Sequence, residues 1–305
     1  MSSHSGRPNL VVVRAGKNSL HPRWLAGAQA RSFDLIVSLY DSEASFDHGP
    51  DVPVVLRRGG KWDGLHAVLG EEGALDGYDY ILLPDDDLDM TASDIEAVFA
   101  AMRRHDLDVA QPSLTWDSYF SHFSVLSCPG FTLRYVNFVE IMAPCLRREV
   151  LEKILPEFAD TMSGFGLDYV WCRLSEDPHW RAAILDSIAI RHTRPIGRVL
   201  RGHMARQGVI AEDEEQVLRA RFGVTGRHRP LFYAAIDDRG RRVEGLGALA
   251  LRMAWAYGRV HRKLGMQEPP LGNILKIIRR QLTRRPQLTP LRRVADSPAQ
   301  ERIRE

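Results

Sequence analysis

The sequence predicts an α/β protein whose mostly parallel sheet is flanked by helices. Two observations predict it. Short β-branched runs alternate with segments of helical periodicity up to Pro112. The fourth of these runs ends in three successive carboxylates, Asp85, Asp86 and Asp87, after Pro84.

The elements follow in chain order. Leu10-Val11-Val12-Val13 reads as a buried strand, and Phe33 to Tyr40 as a second that stops before Asp41. Val52 to Leu56 is a third. Lys61 to Leu69 reads as a helix with Leu65, Val68 and Leu69 on one face. Tyr78 to Leu83 is the strand that delivers the acidic triplet. Thr91 and Asp94 resemble a capping box for a helix carrying Ile95, Val98, Phe99 and Met102. Asp108 to Pro112 and Val139 to Pro144 read as strands, and Ala182 to Ile190 as a broken or bulged strand before His192. Beyond Ile196 the composition changes. Helices are expected from Ala211 to about Phe222, from Leu246 to Leu264, and from about Leu275. This divides the chain into residues 1–200, which carry the site, and a helical extension, 201–305, with a basic tail.

Composition excludes several classes. The chain has 305 residues and a net charge of +2, too small to imply nucleic acid. Its basic residues gather in the tail without a recognition motif. Three widely spaced cysteines, Cys128, Cys145 and Cys172, argue against a disulfide scaffold and for a reducing, cytoplasmic setting. No apolar run reaches the ~18 residues of a membrane-spanning helix, and Met1 to Pro8 lack a signal core. From Leu271 to Glu305 nine Lys and Arg face three acids. That tail reads either as solvated or as resting on a partner or the anionic inner face of a membrane.

The acidic triplet is open to two readings, a solvated turn or a cation site. Alternation along an extended segment puts Asp85 and Asp87 on one side. Hard oxygens at that spacing suit Mg²⁺ or Mn²⁺, which can hold a diphosphate. Asp41 and Asp85 both end predicted strands, where ligands sit in open α/β sheets. Three further segments bear chemistry. Ser163 to Trp171 places Asp168 at a helix start after a glycine-rich turn, where the helix dipole favours a carboxylate. His192 lies between Arg191 and Arg194, and a neutral imidazole can complete a coordination sphere. Arg57 to Trp62 combines glycines with cations suited to phosphates.

Together these strings resemble a family. Tyr80 to Leu88, Ala110 to Leu114, Phe138 to Pro144, Gly164 to Asp168, and Ile184 to Ser187 followed by His192 are similar, in block order, to an uncharacterised group of plant and bacterial proteins. That group is related to GT-A nucleotide-sugar glycosyltransferases. The resemblance covers roughly residues 60–197. It implies a GT-A-like, Rossmann-type mixed sheet and a metal-dependent glycosyltransferase. Asp85, Asp87 and His192 would then hold Mn²⁺ or Mg²⁺. Arg14, Asp41, Lys61 and Asp86 would contact a nucleoside-diphosphate sugar, a UDP-sugar being favoured. Asp168, or else Glu140, would act as general base toward a glycan or lipid-linked acceptor if the course is inverting. The alternatives are a nucleotidyltransferase on a similar sheet and a non-catalytic carbohydrate- or lipid-binding protein on the same fold.

Overall fold

The computed structural model describes residues 5–26, 30–47, 51–195, 204, 208–226, 228–264 and 271–294. It shows a mixed sheet with helices packed on it. β1 (Asn9–Ala15) is wholly buried, as its unbroken apolar run requires of a central strand. It pairs in parallel with β2 (Phe33–Leu39) on one side and β4 (Tyr80–Leu82) on the other. β3 (Val54–Leu56) adds to β2 in parallel and forms one edge of the sheet. Between them stand α1 (His21–Leu25) and α2 (Lys61–Leu69), the latter packed on β1 and β2.

Beyond β4 the pairing changes. A two-residue strand, β5 (Leu88–Asp89), precedes α3 (Ala92–Arg104), whose Thr91–Asp94 capping box is complete. β6 (Val109–Leu114), β7 (Phe131–Val136), β8 (Cys145–Arg147) and β9 (Ala182–His192) follow. α4 (Arg148–Ile154) and the single turn α5 (Leu167–Val170) lie between β8 and β9. β8 is antiparallel to both β4 and β6, whereas β6 and β9 are parallel. The bulge expected in β9 is present. Its register with β6 jumps from Pro112–Leu185 to Ser113–Ala189.

Val139 to Pro144 is not the strand expected from its sequence. Val139 N–H donates to Asp168 O at 2.9 Å, and Glu140 N–H to the Gln111 side chain. Pro144 has no N–H to give a ladder. The segment runs instead as an irregular rail beside the acidic triplet, accepting from Leu83 N at Pro144 O and from Asp85 N at Met142 O.

The C-terminal extension is helical in α6 (Ala211–Arg221), α7 (Leu246–Leu264) and α8 (Leu271–Thr283). It also supplies two strands, β10 (Phe232–Asp237) and β11 (Arg242–Glu244), and β10 pairs with β7. The boundary expected at 200/201 lies outside the described residues, as do tail residues 295–305. Leu249, Met253, Tyr257, Ile274 and Ile277 join the same buried core as β1. Among the described residues no helix is long and apolar enough to cross a membrane.

Candidate functional site

β1 is the point at which the chain reverses its direction across the sheet. β2 and β3 follow on one side, β4 on the other. The carboxyl ends of β1, β2 and β4 open on one crevice there, the position at which such sheets bind ligands. Asp86 ties its walls together. Its Oδ2 accepts from Gly16 N at 2.9 Å and from the Tyr40 hydroxyl at 3.3 Å. Its Oδ1 accepts from Arg194 Nη1 at 3.2 Å, and its carbonyl from Leu20 N at 2.7 Å. Asp86 is therefore buried, and burial raises its pKa against the pull of Gly16 and Arg194.

Arg14 is likewise turned inward. It donates from Nε to Gly60 O at 3.0 Å, from Nη1 to Ser38 Oγ at 2.7 Å and from Nη2 to Gly59 O at 3.0 Å. It shapes the loop before α2 and is buried there, so its guanidinium braces the crevice wall. Asp41 sits half-buried at the rim, with Oδ1 accepting from Glu43 N at 2.9 Å.

Lys61, the first residue of α2, reaches across the crevice. Its Nζ donates to Asp85 Oδ1 at 2.6 Å and to Ile141 O at 2.6 Å. Burial pushes the Asp85 carboxyl above its usual range, Lys61 opposing and Asp87 adding to the rise. Asp87 meets His192, because β5 pairs antiparallel with the end of β9 and sets Leu88 beside His192. His192 Nδ1 donates to Tyr119 O at 2.8 Å, since a carbonyl can only accept. Its Nε2 lies 3.1 Å from Asp87 Oδ2. Burial works against the imidazolium here, but Asp87 outweighs it and raises the His192 pKa.

The fit to a divalent cation follows from these contacts. Asp87 Oδ1 is buried and has no hydrogen-bond partner. With Nδ1–H donating to Tyr119 O, Nε2 donates its own proton to Asp87 Oδ2 as the side chains stand, and loss of that proton would leave on Nε2 the lone pair of a metal-binding imidazole. Asp85 is engaged by Lys61. As the side chains stand, no three His, Cys, Asp or Glu among the described residues converge as a metal cluster. Asp87 thus suits a cation through its free Oδ1, His192 once its Nε2 proton leaves, and Asp85 once Lys61 moves aside.

The rail at 139–142 leads to a second cluster. His122 Nδ1 donates to Glu140 Oε1 at 3.0 Å, and its ring packs edge-on against Phe138, 4.7 Å between centroids. Burial lowers the His122 pKa, but Glu140 and Asp168 together carry it above the usual value. Asp168 is the second residue of α5, and its Oδ1 is buried without a partner. Burial pushes its carboxyl up to about 8, with Glu140 and Glu215 adding and His122 opposing. The sequence-based expectation had the opposite sign. A one-turn α5 has little dipole to offer, and desolvation beside two acids wins.

The acidic opening of α6 holds this region in place. Glu214 accepts from Met162 N and Ser163 N, each at 2.9 Å, and from the Ser163 hydroxyl at 2.6 Å. Glu215 accepts from the Tyr169 hydroxyl at 2.9 Å. Gly164, at φ +73°, backs onto the Trp62 indole, where a Cβ would clash.

Of the residues picked from sequence, Lys61, Asp85, Asp87 and His192 come together at one end, and Glu140 and Asp168 at the other. Arg14, Asp41 and Asp86 frame the crevice. Sequence reasoning missed His122, Gln111, Tyr40, Glu214 and Glu215. His122 stands in a stretch legible only as aromatic. Glu214 and Glu215 belong to a run that reads only as the opening of a helix, and no spacing links them to the loop of Ser163, 51 residues before Glu214.

No family model matches the chain, and no curated protein matches it. Among solved structures, the chain is similar to the A197 protein from STIV, at 14% identity and TM-score 0.35, covering 77% of this chain and 93% of that one. It is similar to residues 1–349 of S. aureus TarS, at 13% identity and TM-score 0.40, covering 69% of each chain. TarS has also been solved in complex with UDP-GlcNAc. A third likeness is to 4-diphosphocytidyl-2C-methyl-D-erythritol synthase from Anaerococcus prevotii, at 8% identity and TM-score 0.37, covering 68% and 100%. Likenesses of this degree transfer no function, so the reading of the site rests on its own geometry.

Proposed function

We propose that the chain is a glycosyltransferase that moves a sugar from a nucleoside-diphosphate donor to an acceptor hydroxyl. One observation carries this reading: the rail 139–142 joins a cation–carboxylate end, Lys61, Asp85, Asp87 and His192, to a general-base end, Glu140, His122 and Asp168. Such transfers need positive charge at the departing diphosphate and a base at the incoming hydroxyl.

When bound, Mn²⁺ or Mg²⁺ supplies Lewis-acid charge for the leaving nucleoside diphosphate. Asp87 and His192, joined by Asp85, are the residues that would hold it. Lys61, released from Asp85, brings an ammonium to the donor phosphates. Asp41, at the rim beside the ends of β1 and β2, suits a ribose hydroxyl. In an inverting course the acceptor oxygen attacks the sugar C1, the C1–O bond to the diphosphate breaks, and Asp168 takes the hydroxyl proton. A base with a pKa about 8 is well matched to that task near neutrality. Glu140, bound to His122, is the alternative base.

The test is thermal unfolding with and without Mn²⁺ across UDP-, GDP-, CMP- and dTDP-linked sugars and the free nucleoside triphosphates. Ligands of the folded state raise the melting temperature by mass action. The expected result is a Mn²⁺-dependent shift with one sugar donor, lost in Asp85→Ala/Asp87→Ala. A shift with triphosphates alone would favour nucleotidyl transfer. No shift with any of them would leave a non-catalytic protein on this fold.

A further inference from the structure

α7 and α8 pack against one another and close over the end of the sheet. α7 lies on β10 and β11. α8 is pinned to the start of β10, where the Gln281 side chain accepts from Phe232 N at 3.1 Å and donates to Phe232 O. Each helix buries one stripe, Leu249, Met253, Ala256 and Tyr257 on α7, Ile274, Ile277 and Gln281 on α8. The opposite stripe of α7, and the flank of α8 beside its buried stripe, are apolar as well. Leu251 and Trp255, one turn apart on α7, are 72% and 64% exposed. Leu275 and Leu282, two turns apart on α8, are 68% and 58% exposed. Water-exposed leucines and a tryptophan in such rows are costly unless something covers them.

The charge beside those rows selects what covers them. Neither helix contains an Asp or Glu. Arg259 on α7, and Lys276 and Arg279 on α8, are exposed among the apolar residues, while Arg252 is paired with Asp237 of β10 at 3.2 Å. The Arg259 guanidinium sits 4.5 Å from the Trp255 ring. A second copy of this cationic face would repel it. A phosphate backbone offers nothing for the leucines to enter. Headgroup phosphates above acyl chains meet both demands: cations pair with anionic lipid while Trp and Leu enter the boundary beneath.

We propose that the outward face of α7 and α8 is a docking surface for an anionic lipid bilayer, on which the helices lie flat. The surface adjoins the site. α8 packs on the turn Phe123–Val125, and the charge of Arg280 reaches His122. Where the transferase reading holds, the acceptor-side cluster therefore stands next to the lipid surface, as a lipid-linked acceptor requires. That last step rests on the transferase reading; the docking surface does not.

The experiment is sedimentation of the full chain with vesicles of phosphatidylcholine, with and without phosphatidylserine. The wild type is expected to bind the phosphatidylserine vesicles, to leave them as salt is raised, and to ignore phosphatidylcholine alone. Leu251→Ser/Trp255→Ser/Leu275→Ser, all exposed positions, is expected to keep its melting temperature and bind at least about tenfold more weakly. Tryptophan emission is expected to shift to the blue on binding, and Trp255→Phe to bind without that shift. No binding to phosphatidylserine vesicles, or equal binding by the triple variant, overturns the proposal. A concentration-dependent dimer in sedimentation velocity that the triple variant abolishes would overturn it too, by assigning the face to a second copy. None of these readings depends on sugar transfer, so this test and the donor test fail separately.

Discussion

At the scale of single residues, Asp168 makes the sharpest pH prediction. Its folded pKa is about 8 against an ordinary 3.8, so between those values the folded state holds a proton that the unfolded state releases. The contribution to stability is full below about pH 4 and is lost as pH rises through 8. Wild type is therefore expected to lose stability relative to Asp168→Asn over that window, by on the order of 1 kcal/mol per pH unit, in urea titrations. Activity should run the other way. kcat/KM is expected to climb through about pH 8, and Asp168→Asn to lower it by about 10²- to 10⁴-fold. A flat stability difference would show that Asp168 is not buried as a neutral acid.

Lys61 makes a second residue-scale prediction. It competes with a cation for Asp85, so Lys61→Ala is expected to tighten Mn²⁺ binding by calorimetry while weakening the donor. Looser Mn²⁺ binding in that variant would mean that Lys61 orients Asp85 instead of blocking it. The acids at this end were legible in sequence because clustered carboxylates after an apolar run need a cation or water. The lysine's role was not, because 24 residues separate it from Asp85.

At the scale of elements, the turn Ser163–Gly166 depends on conformations that only glycine adopts easily. Gly164→Ala puts a side chain at φ +73° and against Trp62, itself packed on Phe158 at 4.7 Å between ring centroids. The expected loss is about 2 kcal/mol or more by urea unfolding, with α2 and the loop before α5 most affected by hydrogen exchange. A neutral effect would mean that the turn can relax. α2 and α3 were legible from periodicity and capping. The rail at 139–144 was not. Its apolar residues face protein on every side as a buried strand's would, and only its hydrogen-bond partners, Asp168 and Gln111, distinguish it.

At the scale of the whole molecule, the C-terminal third is bound into the core through charge. Arg134 on β7 is fully buried and donates to Asp186 from Nε at 2.6 Å and Nη2 at 2.9 Å. Its Nη1 donates to the Tyr257 hydroxyl of α7 at 2.7 Å. Asp186 also accepts from Cys128 N at 2.8 Å. Tyr257→Phe leaves a buried guanidinium N–H without its partner and is expected to cost about 1–3 kcal/mol in urea unfolding. A cost below about 0.5 kcal/mol would imply that another group takes the bond. The alternating first half announced its sheet through strand and helix periods. The join between β7 and β10 was hidden, since antiparallel partners separated by about a hundred residues leave no local trace.

That join governs the order in which the protein can be finished. Arg134 and Tyr257 lie 123 residues apart in the chain. A nascent polypeptide leaving the ribosome can pair Arg134 with Asp186 well before α7 emerges, but the guanidinium is fully bonded only once α7 has folded onto the sheet. A chain cut before Tyr257 would carry a buried guanidinium with one bond unmade, so its N-terminal part is never as well satisfied as in the whole protein.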